Sequence, residues 1–147
     1  EMKPRGFEHA HGMHGECVGV GTIMCARAYH EYAKRETIEV KPYEPLDEAW
    51  VKAVFGDLAG GIFKENENDV LKTFDPENIK THWQEIRDII ATIPTAEELI
   101  ALYTKIGAKH SLAELDIDES VRDDFLDISS AIRNRLTFAR MTRLIVK

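Results

Sequence analysis

The sequence has few cysteines and no long apolar run. Its two cysteines, Cys17 and Cys25, fall eight residues apart in one predicted helix, which separates them by about 12 Å. That distance is too great for a disulfide, so we expect both side chains to be small, buried and apolar, as in a protein of a reducing compartment. No stretch approaches the roughly 20 apolar residues of a membrane-spanning helix, which argues against a membrane-embedded protein.

Basic residues are fewer than acidic residues. Lysine and arginine number 19 against 26 aspartates and glutamates, and the formal net charge is −7. This balance provides no electrostatic footprint for nucleic acid or for an anionic membrane, so we expect neither as a partner. No secretory signal is recognisable, and we expect a cytoplasmic location. The first residue is Glu1 rather than Met, and the sequence does not say whether this is the natural start.

Length and hydrophobic periodicity predict one all-α domain over residues 1–147, with about six or seven packed helices. Apolar residues make up 44% of the chain, enough for a sizeable core. Apolar residues recur at steps of three and four, which is typical of amphipathic helices. The residues expected to be buried on these stripes include Trp50, Trp83, Leu102 and Phe125, together with Ile106 and Ile132.

Local start and stop signals predict most helix boundaries. Gly60-Gly61 is expected to end the helix that contains Trp50, and Asp75-Pro76 to begin a helix that runs to Ile93. Further signals lie downstream: a capping box at Thr95-x-x-Glu98, a stop at Gly107, a cap at Ser111-x-x-Glu114, and starts at Asp118 and Thr137.

The stretch from His14 to Ala33 is predicted to be the central helix. No charged side chain occurs between Cys17 and Ala26, and a helix that is apolar on every face is usually buried. Gly15, Gly19 and Gly21 lie in its first turns, where each glycine costs about 1 kcal/mol relative to alanine. We therefore expect each glycine to permit a close approach by another group.

A histidine and a carboxylate lie together at the start of this helix. His14 is a candidate metal ligand because imidazole is the commonest side-chain ligand. Glu16 is favoured there by the helix dipole and could orient a ligand or a bound water. His9, His11 and His14 form an H-x-H-x-x-H pattern, but a closed zinc site usually needs four ligands. The alternative is that His14 is only a capping or turn residue.

Other motifs carry weaker signals. Gly19-Val-Gly21 lacks the third glycine and the preceding strand of a dinucleotide-binding loop. The arginines at 133, 135, 140 and 143 could hold a phosphate, although complementation of helix dipoles and surface salt bridges explain them more simply. His82 and His110 are isolated in the sequence, so surface or capping roles are expected for both.

The stretch His14-Gly-Glu16-Cys-Val-Gly19-Val-Gly21-Thr resembles the H-G-E-x-V-x-x-G element of the iron-containing alcohol dehydrogenase and dehydroquinate synthase superfamily. Two further segments resemble glycerol-1-phosphate dehydrogenases in particular. Glu1-Met2-Lys3 is similar to the end of a W-E-M-K-like segment, and Arg133-Asn-Arg135-Leu-Thr137 is similar to a late R-x-R-x-T segment. The resemblance implies that the chain is the C-terminal helical, dehydroquinate synthase-like α domain of such an enzyme.

The resemblance also implies an activity and a site. The family reduces carbonyl substrates with NAD(P)H beside a divalent metal (zinc, nickel or iron) that polarises the carbonyl, and here the substrate would be dihydroxyacetone phosphate. His14 would be one of three metal ligands, Glu16 a residue supporting the site, and His11 a residue touching substrate or relaying a proton. Arg135 would bind the substrate phosphate. The remaining ligands and the NAD(P) site would belong to an N-terminal nucleotide-binding domain that this chain lacks.

Two alternatives remain open. The H-G-E element is shared, so His14 does not separate this enzyme from another polyol dehydrogenase or a dehydroquinate synthase-like cyclase. The second alternative is a helical interaction module without catalysis, which is how the chain alone is expected to behave. A homo-oligomer is compatible with either alternative.

Overall fold

The computed structural model describes residues 4–147, and these residues form an all-helical fold, as the periodicity predicted. Residues 1–3, which carry part of the family resemblance, lie outside the described residues. The α-helices are α1 (His14–Ala33), α2 (Glu48–Phe55), α3 (Ala59–Glu65), α4 (Glu77–Thr81), α5 (Trp83–Ala91), α6 (Ala96–Lys105), α7 (Val121–Ile132) and α8 (Phe138–Met141). Short 3-10 turns connect several of them. Among residues 4–147 the extended pairing is limited to one isolated bridge between Val40 and Ile145.

Helix α1 is the central element, and its bounds are those predicted. It contacts α5, α6, α7 and α8, and its buried face carries Gly19, Val20, Ile23 and Ala26. Burial on every face was, however, a wrong prediction. Cys17 is exposed and Val18 keeps 52% of its accessible surface, because the contacting helices leave one side of the first turns uncovered. The lack of charge on that side therefore does not reflect burial.

The double glycine does not end the second helix. Helix α2 ends before Gly56, which has a φ of +51°, a left-handed conformation that favours glycine. Gly60 and Gly61 lie inside α3 instead. The stop signal was thus a single glycine four residues earlier, and the helical stripe resumes after one 3-10 turn over 56–58.

The helix predicted from Pro76 to Ile93 is divided at His82. Helix α4 ends at Thr81, and α5 begins at Trp83. Trp83 is buried, and its indole N–H donates to the carbonyl of Arg35, just beyond α1, at 2.9 Å. The capping box that follows is confirmed: the Thr95 N–H donates to Glu98 at 2.8 Å, and the Glu98 N–H donates back to the Thr95 hydroxyl at 3.2 Å.

Several residues predicted to be buried are exposed. Trp83 is buried, whereas Trp50 and Phe125 are only partly covered. Leu102, Ile106 and Ile132 keep 52%, 66% and 43% of their accessible surface. Periodicity correctly identified α6 and α7 as helices, but the apolar face that it predicted to be buried is wider than the face that is covered. The three exposed residues lie on the uncovered part of that face.

The core consists of two hydrophobic clusters. The first gathers residues from α1, α2, α3 and α7 around Val51, Phe55 and Leu115. The second gathers Ile38, Leu71, Ile79, Trp83 and, near the C-terminus, Leu144 and Ile145. Phe138 packs on the second cluster, with its ring edge-to-face against Tyr29 and Tyr32 of α1.

A buried ion pair corrects the prediction for two of the arginines. Arg140 is fully buried, and its guanidinium Nε donates to Asp69 Oδ1 at 3.0 Å. Arg143 is 11% exposed and pairs with the same carboxylate at 2.9 Å. Neither arginine is therefore a surface residue or available for a phosphate. They join the 66–70 segment to the C-terminal part of the chain.

Candidate functional site

The His14 side chain stands exposed at the first residue of α1. The backbone of Met13, the residue before the helix, is extended and makes the transition into the helix. No hydrogen bond or ion pair joins the His14 side chain to another of residues 4–147. A Cβ built at Gly15 would meet nothing within 4 Å. The imidazole is thus accessible, and the N-cap position belongs to Met13 rather than to His14.

Glu16 caps the helix start. Its Oε2 accepts a hydrogen bond from the Met13 N–H at 2.8 Å, and it lies 3.5 Å from the ammonium of Lys109. A carboxylate in the first turn is also stabilised by the positive end of the helix dipole. The half-buried carboxylate therefore has a structural role that is complete without a metal. Its predicted support of a metal site stays a prediction.

His11 forms a pair with an aspartate that is distant in sequence. Its ring Nδ1 lies 3.2 Å from Asp116 Oδ2, and its backbone N–H donates to the Leu115 carbonyl at 2.7 Å. Asp116 has a φ of +53°, an uncommon conformation for a residue with a side chain. Both side chains are mostly exposed. A carboxylate on one ring nitrogen leaves the other nitrogen for a substrate or a proton.

The candidate metal ligands at the start of α1 do not gather into a cluster within residues 4–147. Among residues 4–147 there is no group of three or more histidine, cysteine, aspartate or glutamate side chains placed to hold a metal ion. His14 offers one unengaged imidazole, while the Glu16 and His11 side chains already have protein partners. Since a catalytic zinc commonly has three protein ligands, His14 could contribute one contact to a site completed by residues outside this part of the chain.

Of the three glycines in α1, only Gly19 permits a close approach. A Cβ there would come within 2.9 Å of the Tyr103 ring on α6, closer than van der Waals contact. A Cβ at Gly21 would lie 3.8 Å from Phe125, which is ordinary contact, and Gly15 has open space around it. The packing explanation therefore holds for one position, where α6 crosses α1 just after the candidate site.

The structure places Arg135 in a different region from His14. Arg135 is exposed between α7 and α8, three residues before Phe138, whose ring contacts Tyr29 with 4.9 Å between centroids. Tyr29 is 15 residues after His14 in α1, or about 22 Å along the helix axis. The segment that carries Arg135 is thus attached near the opposite end of the central helix.

His82 and His110 have contacts of the surface and capping kinds that were expected of them. The His82 ring pairs with Glu85 at 3.1 Å, and the backbone N–H of His110 donates to Glu114 at 3.0 Å while its ring Nδ1 lies 3.6 Å from the same carboxylate. Asp116 and Lys109, by contrast, were missed as neighbours of the site. They follow the start of α1 by about a hundred residues, and no local pattern connects them to it.

Comparison with known proteins adds no relative. No protein-family model matches the chain, and neither the curated proteins nor the solved structures include a match. In the part of the chain that the structure describes, no helix is both long enough and apolar enough to cross a membrane. The fold and the site define an all-helical protein with an exposed imidazole at the start of its central helix.

Proposed function

We propose that the chain is the metal-binding, substrate-side half of an NAD(P)-dependent oxidoreductase that resembles glycerol-1-phosphate dehydrogenase. The observation that carries the proposal is His14, the first residue of α1 within the H-G-E-x-V-x-x-G element, whose imidazole is exposed and has no partner among residues 4–147. The reaction would be the reduction of dihydroxyacetone phosphate by NAD(P)H, with the nicotinamide held mainly by a separate nucleotide-binding domain.

The surroundings of His14 support a ligand role over a purely structural one. The helix start is already held by the Glu16 carboxylate, which accepts the Met13 N–H. Packing of Gly19 against Tyr103 fixes the helix one and a half turns further on. The His14 side chain is therefore not needed for any local contact, and the backbone that carries it is held in place. These are the properties expected of a metal ligand in a site that is shared with a second domain.

The proposal extends to His11, and the role of Arg135 stays a prediction. His11 precedes His14 by three residues and contacts Asp116, which supports a role in which its imidazole would orient substrate or carry a proton. Arg135 is exposed and is attached near the far end of α1. It would bind the substrate phosphate if the substrate extends from His14 along the helix towards that end.

A non-catalytic interaction module is the second candidate, and one observation favours it. Met13 and Val18 at the start of α1 keep 74% and 52% of their accessible surface, and Leu102 and Ile106 of α6 are similarly exposed. Exposed apolar side chains on neighbouring elements are typical of surfaces that another protein or domain covers. The two candidates differ in whether His14 is required for chemistry.

Substitution of His14 by asparagine separates the two candidates. In a protein that carries this chain together with a nucleotide-binding domain, His14→Asn should reduce metal content and lower kcat/KM for dihydroxyacetone phosphate by at least about 100-fold. Asparagine is well tolerated at helix starts, so helical circular dichroism should stay unchanged. Metal would be measured by mass spectrometry, and turnover by NAD(P)H absorbance.

His82→Asn provides the matched control, because His82 is an exposed histidine that immediately precedes a helix. It should retain full metal occupancy and turnover. Normal metal content and near-normal turnover in His14→Asn would refute the ligand assignment. For the isolated chain we expect weak zinc binding and no turnover, and a tight stoichiometric zinc site on it would contradict the proposal of a shared site.

A further inference from the structure

A cavity of about 670 Å³ lies between α1, α6 and α7. Its first lining residue on α1 is Val20, six residues after His14, or about 9 Å along the helix. None of His11, His14 and Glu16 lines it. The volume falls within the range of small-molecule sites. It is therefore a separate space from the candidate metal site, and it has no role in the proposed reaction.

The wall of the cavity is largely apolar. Ile23 and Met24 line it from α1, Phe125 and Leu126 from α7, and Ile100 from α6. The α1 side also includes Ala28, a small residue that leaves space in the middle of the wall. An apolar wall of this kind favours a ligand with a hydrocarbon body.

The charged residues at the cavity differ between its two sides. On the α1 side, Arg27 has one carboxylate within ion-pair distance among residues 4–147, the exposed Glu97 at 3.9 Å. Arg35 donates to the carbonyl of Val146 and to no described carboxylate. Glu31, which lies between these arginines on the same helical stripe, is paired with Lys34. The α1 side therefore retains unused guanidinium donors.

The α7 side offers less unpaired charge. Asp127 is paired with Lys147 at 2.8 Å, and Arg122 is paired with Glu119. Asp123 is the lining carboxylate without a cationic partner in residues 4–147. A ligand with its anionic group towards Arg27 and Arg35 would keep that group on the opposite side from Asp123, with its apolar body along the wall.

We propose that this cavity binds an amphipathic monoanion, a molecule with a hydrocarbon body and a carboxylate-type head group that pairs with Arg27, while Arg35, eight residues further along the chain, adds longer-range attraction. The guanidinium groups are suited to carboxylate oxygens because their planar donors can bind both oxygens at once. The apolar wall supplies most of the affinity, and the arginines supply the selectivity for charge. A ten-carbon fatty acid is a probe of suitable size.

The probe experiment compares three molecules with the same hydrocarbon chain. Decanoate and decylammonium, kept below their micelle concentrations, and decanol, kept below its solubility limit, are titrated into the whole chain by calorimetry at low salt. Decanoate should bind at one site, at least about tenfold more tightly than decylammonium. Amide chemical shifts should change along the Val20–Ala33 part of α1 and along α7. Higher salt should weaken decanoate and leave decanol unaffected.

Variants locate the site and the charge. Arg27→Gln should weaken decanoate about 5- to 20-fold while leaving decanol unchanged. Lys105→Gln is the matched control, since it removes one positive charge from an exposed residue of α6 that does not line the cavity, and it should change decanoate binding less than twofold. Ala28→Phe should fill the space and abolish binding of both decanoate and decanol.

Four results would overturn the proposal. They are no decanoate binding at millimolar concentration, equal or tighter binding of decylammonium, equal effects of Arg27→Gln and Lys105→Gln, or shifts confined to residues outside the cavity. Arg27 is a partly exposed residue, so its glutamine variant is expected to fold. Circular dichroism and the melting temperature would verify the fold of every variant. If Ala28→Phe does not fold, the comparison of Arg27→Gln with Lys105→Gln still tests the proposal.

Discussion

Replacing Arg140 by methionine should be among the most destabilising single changes in this chain. The guanidinium is fully buried and donates to Asp69 through Nε at 3.0 Å. It also donates to the carbonyls of Ser130 at 2.6 Å and Arg133 at 3.0 Å, and to the side chain of Asn66. Methionine is apolar and donates none of these hydrogen bonds, so the variant leaves several buried acceptors unsatisfied at once.

The magnitude follows from what remains around Asp69. Its carboxylate is 1% exposed and would retain Arg143 and the Leu71 N–H. Removing one partner of a buried ion pair typically costs about 3–5 kcal/mol, whereas a whole domain of this size is stable by roughly 5–15 kcal/mol. Arg140→Met should therefore lower the free energy of unfolding by about 3–4 kcal/mol and leave a marginally folded protein.

The assay is urea unfolding followed by helical circular dichroism at neutral pH. Arg122→Met is the control, because Arg122 forms an exposed pair with Glu119, and such pairs contribute only about 0.2–1 kcal/mol. Adding Asp69→Asn to Arg140→Met removes the incompletely paired carboxylate and should recover part of the loss. An Arg140→Met variant within about 1 kcal/mol of the parent would refute the reasoning.

The same network should make stability depend on pH. Burial alone would raise the pKa of Asp69, but the Leu71 N–H and the guanidinium groups of Arg143 and Arg140 outweigh it and hold the pKa below its ordinary value of 3.8. A lowered folded-state pKa contributes stability that is present above pH 3.8 and is lost as the pH falls through the folded value. Urea midpoints measured from pH 7 down to pH 3 should show this loss, and Asp69→Asn should lack that part of it.

Two further predictions concern α1. Gly21→Ala should raise the free energy of unfolding by about 0.5–1 kcal/mol, because alanine favours the helix and its Cβ fits. Gly19→Ala should lower the free energy of unfolding, because its Cβ would clash with the Tyr103 ring. Equal effects of the two variants in urea unfolding would contradict the close packing at Gly19. Exposed Cys17 should react with iodoacetamide at least about tenfold faster than Cys25. Burial raises the pKa of the Cys25 thiol, and a hydrogen bond with Tyr29 opposes this only in part. Equal rates in the Cys17→Ser and Cys25→Ser variants would contradict this prediction.

Local signals were sufficient for many of the helix boundaries. The bounds of α1 follow from the apolar stretch after His14, and the capping box at Thr95 and Glu98 has the predicted hydrogen bonds. Gly107 ends α6 with a φ of +69°. In each case the interactions that define the boundary lie within four residues of it, which is the range over which a sequence pattern carries direct physical information.

Tertiary features were harder to predict. Which face of α6 is covered depends on where other elements pack, so Leu102 and Ile106 were placed inside and lie outside. Asp69 and Arg140 are 71 residues apart, and their pairing leaves no local pattern. At the candidate site, His14 and Glu16 could be identified from their spacing, but Asp116 reaches His11 only through the fold.

The separation of the core into two clusters has a consequence for how the molecule opens. Val20 of α1 belongs to the first cluster and Tyr32 packs against the second, at positions about 18 Å apart along the helix. Regions with separate cores can unfold separately. The far end of α1 can therefore open with the C-terminal residues while the part around Val20 stays closed. Amide hydrogen exchange would then reveal two protection levels within a single helix, with the slower exchange around Val20.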